Sequence, residues 1–238
     1  MLNSILPENL FIFDIETVPG KKHYDDLAPE LQKLFDDKVG RLRKEEEDKN
    51  EFYFSKAGIF AEFGKVVCIS CGYIQKKEDE FILKIKTYKG DDEKLLLEEF
   101  SQTLQNVFKN NYFLCGHNIK EFDVPWLCRR FLINGLPLPS VLDIYGKKPW
   151  ETNFIDTLEL WKFGDFKHYT SLNLLTNILN IPTPKDKMDG SMVGAAYWNN
   201  NDLSGIAEYC GKDVVAVAHV IMRLKGLDLI REENIALV

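Results

Sequence analysis

Four acidic residues in three well-separated segments could carry the chemistry of this chain: Asp14 and Glu16 in FIFDIET, Asp123 in GHNIKEFDVPW, and Asp213 in YCGKD. Each lies in or beside an apolar run, where an ionised carboxylate is costly unless a positive charge compensates it. Brought together, the four would repel one another strongly unless cations sat among them. An all-oxygen donor set suits hard divalent ions, Mg²⁺ or Mn²⁺, rather than zinc. The inventory points to two-metal chemistry on phosphodiesters.

The spacing supports this reading unevenly. Asp14 and Glu16 are two apart in an apolar run, so on a strand both leave one face, the face that also carries Leu10 and Ile12. That face turns from apolar to acidic near the strand's carboxyl end, where open α/β sheets commonly bind ligands. The plain alternative, a strand reaching solvent, explains either acid alone better than it explains both. Asp123 precedes Val-Pro, which taken alone favours an N-cap with proline in the first helical turn. Asn118 and Phe122, in N-x-x-x-F-D, add more than capping requires. Tyr209 and Asp213 are four apart on a helix and therefore stack on one face, at the edge of its apolar stripe. A half-buried packing aromatic fits Tyr209 equally well.

The elements that must position these groups follow from periodicity. Leu10 to Ile15 is expected to be a central strand, ended by Pro19-Gly20. Residues 66–74 and 81–88 are expected to form a hairpin joined by QKKEDE. A helix should follow, with Leu95, Leu96, Phe100, Leu104 and Phe108 at helical spacing. Then come a short strand from Tyr112 to Cys115, a helix near 124–133 and a short strand at 154–156. SLNLLTNILN should be a helix stopped by Ile181-Pro182, and Leu203 to Leu224 is the longest periodic segment. Residues 36–50, with charges of both signs, read as a solvated helix or mobile insertion. Strands first, with helices interleaved and later, imply one α/β domain over residues 1–238: a mixed sheet with helices on both faces.

Composition sets the outer bounds. A chain of 238 residues that is 45% hydrophobic, with 16 Phe, can bury a substantial core. It shows no repeat period, no apolar run long enough to span a membrane and no signal-type leader. A soluble, cytoplasmic protein is expected. The net charge of −7 argues against a passive basic nucleic-acid coat, but not against an enzyme whose site is neutralised by cations. Five cysteines are scattered through apolar segments. Cys68 and Cys71 form a CxxC on a strand, where they face opposite sides, so both read as buried small side chains.

FDIET, N-x-x-x-F-D and Y-x-x-x-D, in this order, resemble the DEDD superfamily of 3′-5′ exonucleases, most closely the proofreading exonuclease of family B DNA polymerases. The resemblance covers about residues 10 to 225 and leaves no room for a polymerase. It implies a ribonuclease H-like fold, with Asp14, Glu16, Asp123 and Asp213 holding two Mg²⁺ or Mn²⁺ ions. It places Tyr209 as the residue that orients the attacking water. The branch that uses histidine instead needs it five before the last aspartate, where this chain has Glu208. Ile15, Thr17, Asn118 and Phe122 would hold the terminal nucleotide. Asp156, in FIDT, would orient its surroundings, and His117 would be a structural loop residue. The implied substrate is nucleic acid with a free 3′ end, single-stranded DNA by the nearest resemblance and RNA as the alternative. A haloacid dehalogenase-type phosphatase would need Asp-x-Asp and leaves Tyr209 and Asn118 unexplained. A non-catalytic nucleic-acid-binding module would be expected to lose carboxylates that are all present here.

Overall fold

The computed structural model describes residues 4–44, 46–110, 112–148, 151–165, 167–182 and 188–238. Its centre is β1 (Leu10–Pro19), which pairs antiparallel with β2 (Gly64–Lys77); β2 in turn pairs antiparallel with β3 (Glu80–Lys89). On the other side of β1 lie β4 (Phe113–Gly116) and β5 (Phe154–Asp156), both parallel to it, and β6 (Ile235–Leu237) joins β3 in parallel. The sheet order is β5-β4-β1-β2-β3-β6. The fold is α/β, with a three-stranded antiparallel meander extended by parallel strands, the arrangement of a ribonuclease H-like sheet.

The hairpin is longer and tighter than the sequence suggests. Gln75, Lys76 and Lys77 continue β2 and pair with Ile82, Phe81 and Glu80, leaving a two-residue turn in which Glu78 is left-handed. Polar residues join the strands here because the hairpin projects past the core, where neither face needs to be apolar.

Before the hairpin come α1 (Pro29–Val39) and α2 (Lys49–Lys56), packed on each other, with α2 against β1. The charged segment 36–50 is thus the end of α1, a turn at Gly40–Leu42, and the start of α2; Glu45 lies outside the described residues. Asp48 starts α2 by accepting from the amides of Asn50 and Glu51. Beneath the charges, Phe35, Val39, Phe52 and Tyr53 bury themselves with Tyr24 and Phe63.

The two sheet faces carry separate cores. α3 (Glu93–Lys109) and α4 (Asp123–Ile133) cover one face, packing Leu97, Phe100, Leu104, Leu127 and Phe131 on Phe11, Phe13 and Ile69. The side chain of Phe108 lies outside those described. Of the remaining helices, α5 (Thr157–Lys162) follows β5, α6 (Leu172–Ile178) packs on the last helix, and α7 (Val193–Asn200) covers the end of β1. The last of them, α8 (Leu203–Leu224), covers the opposite face, packing Val214, Val217, Ala218 and Ile221 on Leu10, Ile12, Leu83 and Ile85. Asp202 starts it by accepting from the amide of Gly205. Small residues let α8 come close: a Cβ on Gly72 would stand 3.2 Å from Val214 Cγ1. Among the described residues, no helix is long and apolar enough to cross a membrane.

At the end of β4, Gly116 lies against the neighbouring strand and the loop that follows it. A Cβ there would stand 2.0 Å from Ile119 Cγ2 and 2.9 Å from the Phe13 carbonyl oxygen. Gly116→Ala should therefore push the following loop away from β1 and destabilise the fold by about 1–3 kcal/mol. Urea denaturation checks this; wild-type stability would mean that the loop relaxes freely.

Candidate active site

Asp14 and Glu16 continue the β1 face that carries Leu10 and Ile12, so they point toward α8 rather than into the α3–α4 core. Glu16 is 7% exposed and Asp14 half-buried. Opposite them, α8 presents Cys210, whose thiol donates to the Asp14 backbone oxygen and to Asp14 Oδ2, each at 3.4 Å. Ligand atoms of Asp14, Glu16 and Cys210 all lie within 4.8 Å of one another. Just past Glu16 the β1–β2 register shifts, and the Thr17 hydroxyl donates to the Gly58 carbonyl at 2.7 Å.

Asp123 reaches the same place from the other sheet face. It is the first residue of α4, whose N-cap is Phe122, so its side chain does not cap the helix. Instead, Asp123 Oδ1 accepts from the Ile15 amide at 3.2 Å. The reason lies in strand length: β4 pairs with β1 only as far as Ile12↔Cys115, so Ile15 has no strand partner on that side. A carboxylate takes the place of a strand. Asp123 is 4% exposed, and its bond to β1 fixes its position beside Asp14 and Glu16.

Asp156 holds the chain between Gly116 and Asp123. It is buried, and its carboxylate accepts from the amides of Asn118 (2.9 Å), Lys120 (3.2 Å) and Leu158 (2.9 Å). Asn118 itself is left-handed, with φ at +63°, which Asn tolerates better than most residues. His117 is fully engaged: Nε2 faces the Thr170 carbonyl at 2.8 Å and Nδ1 the Thr157 hydroxyl at 2.9 Å. Burial pulls its pKa down, which keeps the ring neutral and structural.

The last carboxylate comes from α8. Tyr209 hydrogen-bonds Asp213 one turn on, and both are half-buried. Burial pushes the Tyr209 hydroxyl well above the ordinary phenol value, with the negative charges of Asp213, Glu16 and Asp14 adding to the effect. At neutral pH it is a proton donor.

Electrostatics ties the four acids into one cluster. Burial raises Asp14 well above the usual carboxylate range, and Glu16, Asp213 and Asp123 raise it further. Glu16 is raised by burial, then by Asp213, Cys68 and Asp123. Asp123 is pushed up to about 7, chiefly by burial, against the pull of the Ile15 amide. Carboxylates this crowded call for cations, and an oxygen-rich donor set fits hard divalent ones.

The residues expected to contact substrate are divided. Asn118 is half-buried in the loop held by Asp156, and Phe122 packs half-buried against the α3–α4 core. The Ile15 amide is committed to Asp123 and the Thr17 hydroxyl donates to Gly58. Cys210 is the neighbour that spacing alone does not reveal as part of the cluster. Its signal was its place three residues before Asp213, on the same helical face.

A family model described as a predicted 3′-5′ exonuclease related to the exonuclease domain of PolB matches residues 59–230, and the chain belongs to this family. The matched span holds Asp123, Tyr209 and Asp213, and the fold adds Asp14 and Glu16 from β1. Exonuclease domains of this kind use divalent metals. Among solved structures, the chain is similar to the family B DNA polymerase from the hyperthermophilic archaeon Pyrobaculum calidifontis. That similarity has 14% identity and a TM-score of 0.47, and it covers 91% of this chain and 27% of the polymerase. No curated protein sequence matches.

The raised acids give a pH prediction with a definite sign. A carboxyl whose pKa is higher folded than unfolded holds a proton that unfolding releases, so stability falls as pH rises between the two values. For Asp123 the window runs from 3.8 to about 7. In chelator, unfolding free energy should drop across it by about 1.4 kcal/mol per pH unit for each proton retained. Saturating Mn²⁺ should reverse the decline. Urea titrations at several pH values check it; metal-free stability rising through this window would contradict the cluster.

Proposed function

We propose that this chain is a metal-dependent 3′-5′ exonuclease, a single domain that hydrolyses the terminal phosphodiester of single-stranded DNA. One observation carries the reading. Three distant segments deliver Asp14, Glu16, Asp123 and Asp213, with Tyr209 beside them, to one end of β1. Membership of a family of predicted 3′-5′ exonucleases supports the same reading.

Two Mg²⁺ or Mn²⁺ ions held by the four carboxylates would supply charge neutralisation and Lewis acidity at the scissile phosphate. The protein's own groups do the rest. Asp123 is fixed by the Ile15 amide and Asp14 by the Cys210 thiol, so these donors are oriented before substrate arrives. The protonated Tyr209 hydroxyl, beside Asp213, can hold a water near the phosphorus. Water adds to phosphorus and the bond to the preceding 3′ oxygen breaks, releasing a 5′-mononucleotide and a new 3′-hydroxyl end. Asn118 and Phe122, in the loop that Asp156 anchors, are the side chains that would hold the terminal nucleotide.

The direct test incubates purified protein with end-labelled single-stranded DNA, duplex DNA and RNA, with Mg²⁺, Mn²⁺ or chelator. Divalent-dependent release of mononucleotides, fastest on single-stranded DNA and blocked by a 3′ phosphate, is expected. Faster cleavage of RNA would reassign the substrate. Equal cleavage of circular and linear strands would indicate an endonuclease.

Two substitutions separate ligand from helper. Asp213→Ala should drop turnover to background and weaken metal binding. Tyr209→Phe should leave metal binding nearly intact and slow single-turnover hydrolysis on the order of 100-fold, typical of one positioned proton-handling group. A wild-type rate for Tyr209→Phe would return Tyr209 to a packing role.

A further inference from the structure

We propose that Cys210 makes the carboxylate cluster a trap for thiophilic cations, Zn²⁺ or Cd²⁺, so that the site is inhibited by soft metals. The inference rests on the carboxylates being the metal site proposed above. Its ground is the donor set itself: two carboxylates and a sulfur, from Asp14, Glu16 and Cys210, lie within 4.8 Å of one another.

Hard and soft ions would use this set differently. Mg²⁺ demands octahedral oxygen ligands and leaves a thiol uncoordinated. Under Mg²⁺ or Mn²⁺, then, Cys210 keeps its proton and remains a hydrogen-bond donor to Asp14 Oδ2. Zn²⁺ binds thiolate at about 2.3 Å and carboxylate oxygen at about 2.0–2.2 Å, so sulfur and oxygen on one ion stand at most about 4.5 Å apart. The Cys210 Sγ to Asp14 Oδ2 distance of 3.4 Å falls inside that limit. Binding is not a redox step. The thiol loses its proton to solvent, a sulfur–metal bond forms, and nothing is oxidised.

A second sulfur stands behind the first. Cys68 pairs with Glu16 across β1 and β2, and it hydrogen-bonds Cys210. The local sulfur density therefore favours a soft ion over a hard one. A soft ion held by Cys210 takes up Asp14 and Glu16, two of the carboxylates that the hydrolytic arrangement needs for its own ions. The other half of the CxxC takes no part, because Cys71 lies in the α3–α4 core on the opposite face.

The test titrates Cd²⁺ into metal-free protein and follows the ultraviolet sulfur-to-cadmium charge-transfer band. Wild type should give a band that saturates at one ion per chain and is displaced by excess Mn²⁺. Cys71→Ser should keep it. Cys210→Ser should lose it and bind Cd²⁺ about tenfold more weakly or worse, while retaining its Mn²⁺-induced thermal shift. Cys210→Ala repeats the measurement if the serine variant does not fold. In the Mn²⁺-supported assay, Cd²⁺ inhibition should weaken about tenfold in Cys210→Ser relative to that variant's own uninhibited rate. No band in wild type, or an unchanged band in a folded Cys210 variant, overturns the proposal. An active nuclease without a band would end this inference and leave the nuclease reading standing. A band without nuclease activity would do the reverse.

Discussion

Burying carboxylates against one another is the constraint around which this fold is arranged. Asp14 and Glu16 stand on the central strand with α8 laid across them, and Asp123 and Asp213 raise the cost further. Nothing in the folding of the apolar cores requires this. Leu10 and Ile12 already pack well on the same face, and further aliphatic residues would extend the contact. The cluster is a standing cost that divalent cations can offset, which is how a site acquires affinity for them.

The neighbouring structure keeps that costly arrangement from relaxing. Because β4 is shorter than β1, the Ile15 amide lacks a strand partner and Asp123 supplies one. The same bond satisfies a buried amide and fixes a candidate ligand. Asp156, with three backbone amides on its carboxylate, then holds the Gly116–Phe122 path that delivers Asp123. On the other face, Ser70 and Gly72 of β2 leave room for α8 to approach, so that Cys210, Tyr209 and Asp213 reach the strand end. A few backbone and small-residue contacts thus convert three sequence-distant segments into one charged cluster.

Much of this was legible in the sequence because it depends on periodicity. β5 and α8 fall at the positions the apolar pattern predicts, 154–156 and 203–224, and β1 begins where its apolar run begins. The four carboxylates were legible because acids are rare in such runs. What was hidden depends on strand lengths and on packing between faces. Asp123 before Val-Pro reads by itself as an N-cap, and only the early end of β4 turns its carboxylate to the Ile15 amide instead. Cys210 looks like one more residue of an apolar stripe until α8 is placed over Asp14. The helices α5 and α7 and the edge strand β6 were not anticipated; they are placed by packing on elements distant in sequence, α5 on α8, α7 on β1 and β6 on β3.

The central claim, that these carboxylates are crowded for cations rather than for stability, predicts a reversal of sign. Asp14→Asn removes one charge from the cluster while keeping the side-chain shape. In chelator at neutral pH the variant should be more stable to urea than wild type, because repulsion is relieved. In saturating Mn²⁺ it should be less stable, because a ligand is lost. Measuring unfolding free energy for both proteins in both conditions gives the answer directly. A variant that is less stable than wild type by the same amount in chelator and in Mn²⁺ would contradict the account.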